Sequence, residues 1–453
     1  MNVTPTSLIL LLLVTTATAK AKAQAQEKDT VKHFTIEAQL LTRGEVCIGG
    51  LAPEGDSPSE ADNVITADDT DKAAFVVERT RLTGSYDNQK YLEAKITAQH
   101  TSVWGQSGGG ALGLYEAWAM LKSKQGLFAK IGRQELSYDD ERILGNNDWA
   151  VAALSHDVLK MGYEGHGHKL HAILAYNQND ENTNGGSFYV DGSQPYKTMH
   201  DLWYHYDVKN FPLGASLLFM NIGMQGGIGT SKGDPARKTN YQQLLGGYLS
   251  FHPKHWNVEG AYYRQMGHSE DCVDIKAWMA SIKTQYQPSE AYGLEAGFDY
   301  LSGDEYFAVP SKNSLGLTQH TTIKGFNPVY GSHHKFYGAM DFFYVQTYVN
   351  GFTPGLQNLF AGGFWKPISS LRLDASYHYY ATAAKLTDAD LSLGHEIEVS
   401  ASFQIIKQAQ LMLGYSFMAG TETMRKLKRS SDDDNFLRWG WITLTISPSI
   451  LRL

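Results

Sequence analysis

Hydrophobic and polar residues alternate with a period of two along much of the chain. In residues 34–40 the even positions are apolar and the odd positions polar, and residues 91–100, 371–380 and 396–404 repeat the alternation. Successive side chains of a β-strand point to opposite faces, so this period indicates strands with one apolar and one polar face. The pattern predicts an all-β protein, but a soluble sandwich and a membrane barrel share it.

The lengths of the connections separate these two architectures. Eight short turns alternate with nine longer polar connections along the chain, and the longest connection covers residues 302–354. An outer-membrane barrel has short periplasmic turns and longer outer loops. The sequence therefore predicts a transmembrane, up-and-down antiparallel β-barrel of about 18 strands with both termini on the periplasmic side.

Two aromatic-rich segments lie towards the C-terminal end. Residues 336–350 resemble a strand, but counting them alone would make the strand number odd, so we assign them to the connection 302–354 and expect them to fold into the lumen. The last predicted strand contains Trp439 and Trp441. Tryptophan near strand ends is typical of the aromatic girdles at membrane interfaces, and we expect both rings to be interface anchors.

The N-terminal segment has the features of a secretory signal. Residues 8–14 form the longest aliphatic run, and small residues with A-x-A spacing follow. We predict a cleaved signal peptide over residues 1–25 and a single barrel domain over residues 26–453. No later stretch has the roughly 18 apolar residues that a spanning helix requires.

Composition favours the membrane barrel over a soluble secreted protein. Aromatic residues make up 12% and charged residues only 19% of the chain, which fits an outward apolar band around a polar interior. The net charge of −8 argues against nucleic acid as a partner. The sequence leaves open whether Cys47 and Cys272 pair.

Signs of catalysis or cofactor binding are weak. No P-loop or HExxH motif occurs, so we expect a protein that is not an enzyme and that has no cofactor. The catalytic alternative, an outer-membrane hydrolase with a Ser/His pair, has less support. His166 and His168 are spaced as metal ligands can be, but a solvated turn explains them better, and we predict no metal site.

Charged residues fall on the polar faces of the predicted strands. The basic members of this set are Arg43, Arg79, Arg81, Lys95 and Arg372. Charges on the lipid face of a barrel are costly, so we expect these side chains in the lumen. Guanidinium groups match carboxylate geometry, and rings of Arg or Lys favour anion passage. The pattern predicts an anion-preferring constriction, while a salt-bridged lining that only keeps the pore wet is an equal alternative for any single pair.

A polar loop follows the predicted strand at residues 127–135. It carries four adjacent charged residues: Asp139, Asp140, Glu141 and Arg142. We expect the three acids to hold the lumen arginines in place, and Arg133 and Arg142 to flank the part of the loop that folds inward. The surplus of acidic residues is expected on outer loops at residues 54–71 and 432–434.

Three stretches resemble the bacterial alginate-export family of outer-membrane barrels. They are GRQELSYDDERILGNNDW at 132–149, YLSGDE at 300–305, and FNPVYGSHHKFYGAMDFFYV at 326–345, which is followed by GLQN at 355–358. The resemblance implies an 18-stranded barrel that passes an anionic polysaccharide through an arginine-rich constriction. It points to Arg133, Arg142, Asp341 and the acids at 139–141. Residues 154–158 depart from the family's pattern and lack its arginine.

These observations give two functional expectations. The first is a passive outer-membrane channel for an anionic oligo- or polysaccharide such as alginate, surrounded by outer-membrane lipid, with periplasmic export partners left open. The alternative is an envelope binding or assembly barrel that its own loops close, without transport.

Overall fold

A computed structural model describes eleven ranges of the chain: residues 33–49, 72–181, 183–184, 188–190, 192–226, 238–270, 272–304, 322–341, 353–386, 389–428 and 436–453. The predicted signal peptide and the acidic segments 54–71 and 432–434 lie outside these ranges. Across the described ranges, no helix has the length and hydropathy needed to cross a lipid bilayer.

The described residues contain twenty strands and one short α-helix, Glu422–Lys428. The strands are β1 His33–Ile48, β2 Lys72–Asp87, β3 Leu92–Val103, β4 Ala111–Lys122, β5 Leu127–Gln134, β6 His156–Gly165, β7 His168–Tyr176, β8 Thr198–Asp207, β9 Leu213–Met224, β10 Asn240–Phe251, β11 Trp256–His268, β12 Asp274–Tyr286, β13 Tyr292–Leu301, β14 Thr322–Ile323, β15 Leu356–Ile368, β16 Leu371–Ala381, β17 Ser392–Ile406, β18 Ala409–Gly420, β19 Phe436–Ile446 and β20 Ser449–Arg452.

Antiparallel pairing between sequence neighbours closes the sheet into a barrel. β1 pairs with β2 along its whole length and with β19 on its other edge. β13 pairs directly with β15, while the two residues of β14 run parallel to β12. β20 continues the last strand along the start of β1. Setting β14 and β20 aside, eighteen strands form the wall, which confirms the predicted barrel.

The connections alternate as predicted between short turns and longer loops. Two of the long ones matter here: loop 3, residues 135–155, and loop 7, residues 302–355. The described part of loop 7 includes residues 336–341, which form no strand, and residues 342–350 lie outside the described ranges. β13 pairs directly with β15, so the described residues 336–341 add no strand between them.

The outward face carries an exposed apolar band. It includes Leu82, Leu112, Ile131, Leu217, Leu245, Ile282, Leu294, Leu359, Ile397, Leu413 and Ile442. In β1, Leu40 and Val46 are exposed while Arg43 and Glu45 are buried, so alternation separates the lipid-facing from the lumen-facing positions. This arrangement is that of a membrane barrel, whose exterior contacts hydrocarbon.

Trp439 and Trp441 correct the prediction of interface anchors. Each is only 8% exposed, and both pack with Ala339 of loop 7 inside the barrel. The indole nitrogen of Trp439 donates to Glu45 Oε2 at 3.1 Å. Their positions in β19 have the parity of the lumen face, opposite to the exposed Ile442.

Loops 3 and 7 pack into the lumen and share its hydrophobic core. Loop 3 contributes Leu136, Tyr138, Ile143 and Leu144, loop 7 contributes Phe326, Tyr330, Phe336 and Tyr337, and the strands contribute side chains such as Met199, Trp203, Leu218, Met220, Tyr263 and Met279. Fully burying such a side chain contributes about 1.5–3 kcal/mol. Loop 3 and the described part of loop 7 therefore belong to the folded interior.

Glycine allows the two loops to approach each other closely. A Cβ at Gly145 would lie 2.3 Å from Ser332 Oγ, and one at Gly331 would lie 2.1 Å from the carbonyl oxygen of Arg142. The backbones meet in a parallel bridge between Leu144 and Tyr330. A side chain at either glycine would push loop 3 and loop 7 apart.

Candidate functional site

Asp148 of loop 3 binds the two lumen arginines of β2. Arg79 Nη1 lies 3.1 Å and Arg81 Nη1 lies 2.8 Å from the same oxygen, Asp148 Oδ1. Arg79 and Arg81 are two residues apart in a strand, so both point to the lumen. The contact attaches loop 3 to the wall of the barrel.

The two arginines have different surroundings. Arg79 is 1% exposed. It also donates to Gln39 Oε1 at 3.0 Å and to the carbonyl oxygen of Asp148 at 3.0 Å. Arg81 donates to Gln99 Oε1 at 2.7 Å and stacks on Tyr115, with its Cζ 3.8 Å from the ring centroid. Its Nη2 is buried and has no hydrogen-bond partner among the described residues.

Arg43 on β1 secures the neighbouring part of loop 3. Its Nε donates to Glu45 Oε1 at 2.7 Å, and its Nη1 donates to the carbonyl oxygen of Trp149 at 2.9 Å. Its guanidinium also covers one face of the Trp149 ring, at 4.2 Å. His334 of loop 7 stacks on Trp149 with ring centroids 4.1 Å apart. Arg43, Trp149 and His334 therefore connect the wall, loop 3 and loop 7.

Arg81 lines a cavity of about 320 Å³ between the wall and the C-terminal strand. Its charged lining residues are Glu37, Arg81, Lys95, Glu116 and Glu135, and its polar lining includes Gln39, Thr83, Thr97 and Ser449. Lys95 forms an ion pair with Glu116. The cavity lies towards the short-turn end of the barrel, because its lining includes Glu37, near the start of β1, and Ser447, just after the end of β19.

A second cavity, of about 460 Å³, lies beside loop 7. Arg372 lines it and pairs with Asp374, with Nη2 2.6 Å from Oδ1. Glu295, Glu398 and His334 also reach this cavity, as does Trp149. The lining combines one guanidinium with several hydrogen-bond acceptors.

Arg142 is the buried centre of the contact between loops 3 and 7. It is 2% exposed, and it lies 3.0 Å from Asp299 Oδ1 and 3.2 Å from Asp140 Oδ2. Its Nη1 donates to the Tyr337 hydroxyl at 3.2 Å. Burial alone would lower the pKa of Arg142, but Asp299, Tyr337 and Asp140 raise it, so the guanidinium stays charged.

The comparisons with known proteins agree with this geometry. The sequence matches the family described as "Alginate export" over residues 110–436, well over half of the chain. The chain belongs to the alginate-export family. Its lumen arginines and its two inward loops are thus features of an alginate-export barrel.

Solved barrels share the fold of this alginate-export protein. OpdL of Pseudomonas aeruginosa aligns with a TM-score of 0.58 at 10% identity, covering 92% of this chain and 99% of its own. OpdG of the same organism aligns with a TM-score of 0.58 at 13% identity, covering 93% of this chain and 98% of its own. OpdQ aligns with a TM-score of 0.55 at 12% identity, and the alignment again covers 93% of this chain and 98% of the other. No curated protein matches the sequence.

Family membership and barrel architecture establish the general role. This alginate-export barrel lies in the bacterial outer membrane as a porin-like channel, and it is a channel and not an enzyme. The described residues contain no group of three or more His, Cys, Asp or Glu side chains that could hold a metal ion. His166 and His168 instead bond to the hydroxyls of Tyr163 and Tyr204. Cys47 and Cys272 are free thiols.

The acids of loop 3 have partners other than those predicted. Asp139 accepts from Ser216 Oγ at 2.5 Å and from Trp203 Nε1 at 3.2 Å. Burial raises the pKa of Asp139, and these two hydrogen bonds offset part of that rise. Asp140 pairs with Arg142, and Glu141 pairs with Lys335 of loop 7. In the described contacts, Asp148 and not the acids at 139–141 binds Arg79 and Arg81.

Arg133 lies apart from the other predicted arginines. It pairs across strands with Asp157, with Nη2 2.7 Å from Oδ2. It faces the same side as Ala117 and the opposite side from Lys130, which places it on the outer surface near loop 3. Asp341 bonds to His334 Nδ1 at 2.8 Å and supports the stack on Trp149.

Sequence reasoning missed four residues of the interior. Asp148 stands within the family-like stretch but was not singled out, and Asp299 immediately precedes another such stretch. Lys130 and Lys160 occupy lumen positions of β5 and β6. Alternation alone could have found Lys130, because it stands directly between the outward-facing Ala129 and Ile131.

Proposed function

We propose that this outer-membrane channel passes an anionic oligo- or polysaccharide such as alginate. The observation that carries the proposal is Arg81. It lines a cavity, belongs to a cluster with Arg43 and Arg79, and has a buried Nη2 without a described hydrogen-bond partner. A guanidinium group at the edge of a cavity suits a carboxylate oxygen.

The rest of the cavity lining suits a sugar. Glu37, Glu116 and Glu135 offer acceptors for sugar hydroxyls, and Gln39 can both donate and accept. These acids also prevent the basic groups from retaining an anion too strongly, as conduction requires weak binding. The lining therefore favours the passage of a hydroxylated anion over its permanent capture.

Both cavities reach residues of the short-turn end, which is the periplasmic side of an outer-membrane barrel. A polymer leaving the cell would enter there. Export then requires periplasmic partners that deliver the chain to this mouth, while uptake would use the same lining in the opposite direction by diffusion.

Ion selectivity in a planar bilayer tests this proposal. We expect the native channel to show an anion-selective reversal potential across a salt gradient, and Arg81→Gln to shift it towards cations. Arg264→Gln is a matched control, because it removes the same charge from the outer face of the barrel. Arg264 is exposed, whereas its neighbours in β11, Tyr263 and Gln265, are buried on the lumen face. Cation preference in the native channel would contradict the proposal.

The same experiment addresses the alternative of a loop-closed binding barrel. Loops 3 and 7 fill part of the lumen through their hydrophobic core, which is the observation that favours this alternative. A folded, heat-modifiable barrel without conductance under any ionic condition would support it.

A further inference from the structure

Lys130 and Lys160 face each other in the lumen wall. They are directly opposite in the register of β5 and β6, so their Cβ atoms are about 5 Å apart. Lys130 has the lumen parity of Phe128 and Gln134, and Lys160 that of the buried Val158. Both residues are partly exposed.

The two ammonium groups have no ion-pair partner among the described residues. The neighbouring carboxylates bind other groups: Glu116 pairs with Lys95, Glu135 accepts from the Tyr115 hydroxyl, and Glu164 binds His171. Lys130 lies over Trp118, with Nζ 3.7 Å from the ring centroid, and Lys160 lies near the Tyr138 ring at 5.7 Å. Aromatic faces orient an ammonium group but do not neutralise it.

The predicted arginines differ in this respect. Those in the lumen already contact carboxylates of the chain: Arg43 with Glu45, Arg79 and Arg81 with Asp148, Arg142 with Asp140 and Asp299, and Arg372 with Asp374. Like charges directly opposite each other in a sheet are destabilising. An oxyanion between Lys130 and Lys160 would remove that repulsion and gain two charge-assisted hydrogen bonds.

We infer that Lys130 and Lys160 form a binding subsite for the carboxylate of a uronate unit, one carboxylate oxygen accepting from each ammonium group. This inference rests on the proposed function and deepens it, because it identifies where a sugar carboxylate is held. Arg81 on β2, Lys95 on β3 and the lysine pair on β5 and β6 then form a basic row around the wall, and Lys95 is close enough to act electrostatically on Lys130.

The subsite lies beside loop 3, because Lys160 Nζ is 5.7 Å from the ring centroid of Tyr138 in that loop. A carboxylate bound there would stand between the wall and the loop that narrows the lumen. Successive uronate units could move between Arg81 and the lysine pair, as conduction through several weak sites requires.

Blockade of single-channel current measures the binding. The probes are trigalacturonate, the neutral trisaccharide maltotriose, and inorganic phosphate. We expect Lys130→Gln and Lys160→Gln each to weaken trigalacturonate binding by roughly tenfold, since each removes one charge-assisted hydrogen bond. The control is Lys283→Gln, which removes the same charge from a lumen lysine that already pairs with Glu259 at 3.0 Å. Heat-modifiable migration verifies the fold of each variant.

The outcomes separate the subsite from the proposed substrate. Trigalacturonate blockade that neither lysine variant weakens, or that Lys283→Gln weakens equally, overturns the subsite and leaves the substrate class standing. Blockade by phosphate alone, reduced in both lysine variants, supports an anion site and overturns the uronate assignment. Binding of neither anion by the native channel overturns both, and maltotriose binding is expected to be the same in all variants.

Discussion

The surroundings of each arginine decide what it does in this channel. Arg142 is fully enclosed between two loops, Arg79 is buried against Asp148, and Arg372 lies in the wall of an open cavity. Alternation along the strands predicted that Arg79, Arg81 and Arg372 face the lumen. It could not predict the partners of Arg79, Arg81 and Arg142, because Asp148 and Asp299 are brought to them from parts of the chain distant in sequence.

Replacing Arg142 with alanine should loosen both inward loops. Removing one member of a buried ion pair leaves uncompensated charge, here on Asp299 and Asp140, at a cost of about 3–5 kcal/mol. We expect a lower temperature for the loss of heat-modifiable migration and faster protease cleavage of the loops. Arg372→Ala is the control, because its side chain is 42% exposed and an exposed pair contributes about 0–1 kcal/mol. Equal effects of the two substitutions would contradict a central role for Arg142.

Loop 3 is the element that packs into the lumen and contributes to its hydrophobic core. Asp148 and Trp149 hold it to β1 and β2, while Arg142 and Glu141 hold it to its neighbours. Strand faces followed from local alternation, but the packing of the loops inside the lumen did not, since no local pattern encodes contacts between distant loops. For β19, the general preference of tryptophan for interfaces led to the wrong prediction for Trp439 and Trp441, which lie inside the barrel.

Substituting Asp148 with asparagine should increase anion preference. The change leaves Arg79 and Arg81 without their shared counter-charge. We expect a reversal potential shifted further towards anions, together with larger current fluctuations as loop 3 loosens. Glu78→Gln removes an equal charge on the outward face of β2, where Glu78 bonds to the exposed Trp104, and should change neither property. A selectivity shift that is the same in both variants would show a general charge effect.

The contact between Glu141 and Lys335 should make the loops sensitive to acid. Burial would raise the pKa of Glu141, but the hydrogen bonds from Lys335, Ser137 and Ser332 bring it below the usual value, about 4.3. Because the folded pKa is lowered, the stabilisation is present above the ordinary pKa and is lost as pH falls through the lowered one. We expect current fluctuations to grow in that acid range. In the Glu141→Gln variant, the current fluctuations should already be larger at neutral pH. If this variant responded to acid as the native channel does, Glu141 would not be the group that makes the loops sensitive to acid.

At the scale of the whole molecule, a closed wall of eighteen strands surrounds a partly filled interior. The wall, its outward apolar band and the alternation of turns and loops could be predicted from the sequence because each depends on local periodicity. The passage itself could not, since its width and charge depend on where loops 3 and 7 lie. The proposed anion selectivity therefore depends on basic lumen residues of the wall, and loop 3 contacts those of β1 and β2.

The most direct measurement is the entry of matched trisaccharides into proteoliposomes that contain the native channel. We predict that trigalacturonate enters faster than neutral maltotriose, and that Arg81→Gln reduces this preference while Arg264→Gln does not. Equal entry of both sugars, or exclusion of trigalacturonate by a channel that admits maltotriose, would contradict a passage built for anionic saccharides.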